Sequence, residues 1–134
     1  MEPLPEWERG TPAVLCVAGP HAMPISTAVR VADDRVRFAL GRERETLRRL
    51  REDDHVALLV MGEGLAFSVY GTAAVIAEQL DVADTVVAVE LRVAEVQDHL
   101  ADGRTEMIDG ARWRWTDDKL AESEPQIWAE LERL

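Results

Sequence analysis

The chain has 134 residues, a single cysteine, 47% hydrophobic and 31% charged residues, and a formal net charge of -11. That length fits one domain with a modest core, one cysteine excludes an intrachain disulfide, and the acidic balance argues against nucleic acid or an anionic membrane as partner. No apolar run is long enough to span a bilayer and no basic-then-apolar leader opens the chain, so a cytoplasmic location is expected.

In chain order, "MEPLPEWERG" holds two prolines and no period, and reads as an N-terminal arm over residues 1–10. "TPAVLCVAG" is a β-rich run that ends at the turn signal Gly19-Pro20, with Cys16 inside it as a small buried hydrophobe. "AMPISTAVRVA" is a second strand, and Pro24 assigns it an edge or a bulge because proline cannot donate to a ladder. After a turn at Asp33-Asp34, "RVRFALG" alternates, with Val36, Phe38 and Leu40 on one face. Residues 43–53 read as a helix whose narrow apolar stripe is Leu47 and Leu50.

"HVALLVMG" is apolar throughout, as in a strand covered on both faces. "LAFSVYGTAAVIA" is a long strand in which Gly71 marks a bulge or a barrel bend. "TVVAVELRV" turns Val87, Val89, Leu91 and Val93 one way, and "ARWRWTDD" gives one more short strand with Trp113 and Trp115 on one side. A C-terminal helix is expected over residues 123–134, with Ser123 as N-cap, Gln126 as its capping-box partner and Pro125 in the first turn. Its apolar stripe is Ile127, Leu131 and Leu134. The pattern lacks βαβ repeats. It implies a β-rich α+β fold: a single domain over residues 1–134, with about six antiparallel strands curled into a closed or partly closed barrel, one inserted helix and a C-terminal helix.

The chemistry-bearing residues are sparse. His21, His55 and His99 are scattered without ligand spacing, so no metal site is expected. There is no G-x-S-x-G, P-loop or G-x-G-x-x-G, and Ser26, Thr27 and Ser68 have no evident base partner, so no catalytic residue is named. The strongest local feature is cationic: Arg42, Arg44, Arg48, Arg49 and Arg51 place five of fifteen cations within ten residues. A helix starting just after a strand offers free N–H groups and the positive end of its dipole. Arg42 and Arg44 stand at that end, ready to fork onto phosphate oxygens. The alternative is a solvated face on which the arginines pair with Glu43, Glu45 and Glu52.

"GPHAMPIST", "FALGRERETLRRLREDDHVALLV" and "VYGTAAV" together resemble the pyridoxamine 5'-phosphate oxidase-like superfamily, the flavin-binding split barrels, over roughly residues 10–77. The matching pieces are Pro20-His21 followed by Pro24-Ile25, then Arg49-Leu50-Arg51, Asp53-Asp54-His55-Val56 and Val69-Tyr70-Gly71-Thr72-Ala73. The resemblance implies a six-stranded split-barrel homodimer that binds FMN or the deazaflavin F420 and acts as an oxidoreductase on a small-molecule substrate. It also implies a cofactor ring against Pro24, Ile25, Ser26 and Thr27, with the phosphate near Leu40, Gly41, Arg42, Arg44, Thr46 and Arg49. The sequence departs from the family in that pocket. Leu40 stands where a threonine is usual, Arg44 where a serine is, and Thr46 where a lysine is. The alternative reading is a non-enzymatic split barrel with a degenerate phosphate pocket, binding haem through His21 or His55, or another anionic ligand.

Overall fold

The computed structural model describes residues 2–134, so Met1, at the start of the expected arm, lies outside the described residues. The elements in chain order are β1 (Ala13–Val17), β2 (His21–Ile25), β3 (Val29–Ala32), β4 (Arg35–Gly41), α1 (Glu45–Glu52), β5 (His55–Gly62), β6 (Leu65–Ala77), β7 (Val86–Asp98) and α2 (Asp118–Arg133). The strands form one sheet in the order β2-β1-β5-β6-β7-β4-β3, every pairing antiparallel. This is the expected β-rich split barrel with one inserted and one C-terminal helix, but with seven strands in place of six.

The extra strand comes from a break in "AMPISTAVRVA". Its two halves, β2 and β3, end up at opposite edges of the sheet. The reason is visible at residues 26–28, whose hydrogen bonds go to side chains or come from them. Ala39 N–H donates to Thr27 Oγ1 (3.0 Å), and Thr27 Oγ1 donates to the Ala39 carbonyl (3.3 Å). The indole N–H groups of Trp128 and Trp7 donate to the carbonyls of Ser26 and Ala28, each at 3.0 Å. With two of its carbonyls and the Thr27 hydroxyl bonded in this way, the segment is held in place without a strand neighbour.

Pro24 lies on an edge strand as read from the sequence, opposite Val14. Gly71 lies opposite a bulge: the β6–β7 register shifts between Tyr70 and Gly71, where Ala94 of β7 is the extra residue, and a Cβ on Gly71 would sit 1.9 Å from the Arg92 carbonyl oxygen. The bulged strand, β7, bends at that point, which lets a long sheet curl around its own core.

The main core fills the inside of the curl. Leu15, Val36, Phe38, Leu58, Val69 and Leu91 are fully buried there, and α1 closes one end with Leu47 and Leu50. A second, smaller cluster forms on the outer face, where Leu131 of α2 covers Val29, Leu80 and Ala88. The arm is not helical. It packs Leu4 into the main core, and Leu4 N–H donates to the Asp33 carbonyl (3.0 Å).

Two expectations near the C-terminus are corrected. "ARWRWTDD" is not a strand, and residues 111–117 are irregular. Trp113 and Trp115 do share a side, packed edge to face at 5.4 Å, but an alternating pattern without a ladder neighbour makes no strand. Helix α2 starts at Asp118, five residues earlier than expected. Asp117, in extended conformation, is its N-cap and accepts from Lys119 N–H, whereas the Ser123 hydroxyl donates back to the Leu120 carbonyl within the helix. Pro125 therefore lies inside the helix, and Leu134 is exposed. Among the described residues no helix is long and apolar enough to cross a membrane.

Candidate functional site

The break at residues 26–28 and the irregular segment after β7 create a hollow between them. Its floor is Met23, Pro24, Ile25, Ser26 and Thr27, with Ala39 of β4 and Val86 of β7. Its roof is Trp113, Arg114 and Trp115, and its far wall is Glu124 and Ile127 of α2. The roof is anchored rather than loose: Trp113 Nε1 donates to the Gly10 carbonyl (3.0 Å), and Gly110 packs so tightly that a Cβ would lie 2.5 Å from the Met61 oxygen. The cavity measures 540 Å³, within the range of small-molecule sites, and its lining is mainly apolar.

Glu124 is the unusual member. The residue is 3% exposed; its Oε2 accepts from Trp115 Nε1, and its Oε1 has no hydrogen-bond partner. Burial pushes its carboxyl above the ordinary value, against the opposing pull of the Trp115 indole and the Ser26 hydroxyl.

The arginine segment divides sharply. Arg48 bonds Glu45 and Glu52, Arg49 bonds Glu45 and the Ala18 carbonyl, and Arg51 bonds Glu78. Hydrogen bonds from Arg48 and then Arg49 hold the Glu45 carboxyl below its ordinary value, and Arg51 does the same to Glu78. Arg42 donates to the Glu78 carbonyl (2.8 Å). Arg44 differs: it is the N-cap residue of α1, its side chain lies over Gly41, and among the described residues its guanidinium pairs with nothing. It lines the apolar cavity and also a second hollow of 500 Å³, formed with Gly41, Arg42, Glu43 and Thr85 at the strand-to-helix junction. Arg114, likewise unpaired among the described residues, also lines the apolar cavity.

Of the residues expected to hold a cofactor, Pro24, Ile25, Ser26, Thr27 and Arg44 meet in one cavity, and Gly41 and Arg42 lie in the adjoining hollow. Leu40 is a core side chain, 1% exposed. Thr46 is 1% exposed; its hydroxyl donates to Met23 Sδ (3.1 Å) and so accepts from His21 Nε2 (3.0 Å). Arg49 faces a separate hollow beside Ala18 and Gly19. Neither His21 nor His55 lines the apolar cavity. His55 is exposed, and the hydrogen bond it donates to the Asp53 carboxylate holds its ring above the ordinary value.

Sequence reasoning missed three things. Ser68 does have a base beside it, His99 Nε2 at 2.7 Å, although neither lines the cavity. The two tryptophans belong to an irregular segment and not to the expected strand, and Glu124 has no sequence signal that singles it out.

A model of the pyridoxamine 5'-phosphate oxidase family matches residues 7–112, which include the whole sheet and the cavity floor. The chain belongs to the pyridoxamine 5'-phosphate oxidase-like family. Solved split barrels agree in fold. A candidate pyridoxamine 5'-phosphate oxidase of Lactobacillus delbrueckii is similar at 17% identity and a TM-score of 0.54, covering 72% of this chain and 98% of that one. HupZ of Group A Streptococcus is similar at 12% identity and a TM-score of 0.57, covering 76% and 90%. An F420 reductase is similar at 15% identity and a TM-score of 0.55, covering 67% and 91%. No curated protein matches the chain. At these identities the likeness to solved structures carries the fold alone. Trp113, Arg114, Trp115, Glu124 and Ile127, which complete this member's cavity, lie beyond the residues that the family model matches.

Proposed function

We propose that this protein binds a flavin nucleotide, FMN or the deazaflavin F420, and serves as an oxidoreductase on a small-molecule substrate, working as a homodimer in the cytoplasm. The observation that carries the reading is the position of Arg44: an unpaired guanidinium that lines both a 540 Å³ apolar cavity and a second hollow at a helix start. The apolar cavity suits a planar ring held on residues 24–27 under Trp113 and Trp115. The hollow at Gly41 and Arg42 suits the phosphate arm. Once bound, the flavin supplies the hydride chemistry, and the chain positions it. The protein's part is to exclude water with the tryptophan roof, to fix the anion with Arg44, and to leave Arg114 in the same cavity for an anionic substrate group.

The alternative, haem held in a non-enzymatic barrel, has less support. His21 is occupied by Thr46, and His55 lies outside the cavity. Titrating the purified protein with FMN, F420 and haem, followed by tryptophan fluorescence, separates these readings. FMN or F420 should quench the emission of the roof tryptophans, and sedimentation of the same sample should give the mass of two chains. A charge-assisted contact at Arg44 makes Arg44→Ala roughly ten- to a hundredfold weaker for the nucleotide. Equal affinity of the wild type and Arg44→Ala, or tight binding of haem alone, would overturn the proposal.

A further inference from the structure

Among the described residues, Glu124 Oε1 is the one buried side-chain polar atom without a hydrogen-bond partner. Native interiors keep few such atoms, and each asks for a reason. Here the carboxyl forms part of the far wall of the apolar cavity, its other oxygen pinned by the Trp115 indole, so the side chain is held in place while one oxygen is left over. Around it Ile127 is its neighbour on α2, Met23 and Ile25 lie on the floor, and the one other polar group acting on the carboxyl is the Ser26 hydroxyl. The two free cations of the cavity are Arg44 and Arg114. The site therefore offers three recognition points: a pair of cations, an aromatic roof and one fixed buried oxygen at the wall.

This inference rests on the flavin reading above. The ring of a flavin or deazaflavin carries an imide edge, an N–H flanked by two carbonyls, opposite its benzenoid end. Metallated haem has no N–H to give. We propose that Glu124 is a specificity-determining residue whose free oxygen reads the imide edge of the ring, so that α2, outside the family-matched residues, selects flavin-type ligands. The edge serves either state of the carboxyl. The carboxylate accepts from the N–H, and the protonated acid, which burial favours, donates to the adjacent carbonyl. The Trp115 contact acts through Glu124 by fixing its rotamer and is a positioning interaction.

The probes are FMN and 3-methyl-FMN, which differ only at the imide nitrogen, with haem as a control. The wild type should prefer FMN by roughly tenfold, the worth of one well-made buried hydrogen bond. Glu124→Gln, whose amide can still pair with an imide, should keep most of that preference. Glu124→Ala should bind both flavins alike, with its haem affinity unchanged. Thermal melts check that each variant folds; if Glu124→Ala does not, the wild-type preference and Glu124→Gln still decide. Equal preference in the wild type and Glu124→Ala, or no preference in the wild type, overturns the inference while the flavin reading stands on FMN binding and its dependence on Arg44. A wild type that binds neither FMN nor F420 overturns both.

Discussion

The two helices use the same charged residue types in opposite ways. In α1 the cations and carboxylates face water and satisfy one another, and the carboxyl of Glu45 is held low by Arg48 and Arg49. In α2 two glutamates are buried. Glu130 is 4% exposed and accepts from the backbone N–H groups of Asp81 and Val82 at 2.8 and 3.0 Å, clasping the loop before β7. Glu124 is buried too, yet keeps one oxygen free and its carboxyl raised. A dense run of charge therefore marks mostly a solvated surface, whereas a charge on the buried face of an amphipathic helix marks a built environment. Arg44 belongs with the second kind, because it stands outside the pairing of its own helix.

The comparison breaks most visibly at Leu131. If α2 is a structural wall, its fully buried leucine on the outer face of the sheet should be indispensable. Leu131→Ala should cost about 2–5 kcal/mol, as large-to-small core changes do, read as a clear fall in the denaturant midpoint. An unchanged midpoint would make α2 a loosely attached tail and would remove the cavity wall with it.

A smaller effect should come from Glu124, and its sign differs from that of α1. A carboxyl whose folded value lies above its ordinary 4.5 contributes stability that is fully present below that value and lost as pH rises through the folded value. The lowered carboxyls of Glu45 and Glu78 work the other way, and their contribution is lost as pH falls. The groups facing Glu124 are the Trp115 indole, the Ser26 hydroxyl and, across the cavity, Arg44 and Arg114. Measured as a difference, Glu124→Gln should gain on the wild type as pH rises above 4.5 and show no gain below it. A difference that is flat with pH would mean that burial does not shift the Glu124 carboxyl.

The sheet was readable because its signals are local. Alternation gave β4 and β7, Pro24 gave an edge, and Gly71 gave the bulge. The strand count slipped at Ser26–Ala28 because Thr27 and two distant indoles take the hydrogen bonds there, and nothing near that tripeptide announces them. The cavity floor was legible through the resemblance, since residues 24–27 carry it. The roof and far wall were not. Trp113, Trp115 and Glu124 meet residues about ninety to a hundred positions earlier, and spacing along the chain carries no information about a contact made by a strap folding back. The helix start at Asp118 was missed because Asp117 and Ser123 are equally good caps by type, and only the packing of Ile127 and Leu131 decides where the helix must run.

The smallest expected effect tests the other half of the comparison. Arg48 pairs with both Glu45 and Glu52, and its side chain is 55% exposed. Exposed pairs of this kind gain little, because water and salt screen them and two long side chains must be ordered to form them. Arg48→Ala should therefore leave both the melting temperature and FMN affinity nearly unchanged, and what difference remains should fade on raising salt. Arg44→Ala, four residues earlier and unpaired, should leave stability alone but weaken the nucleotide. If instead Arg48→Ala weakens FMN as much as Arg44→Ala does, the arginines act as one diffuse positive field rather than through a single free guanidinium. The assignment of Arg44 as the anion contact would then fall, while the apolar cavity would remain.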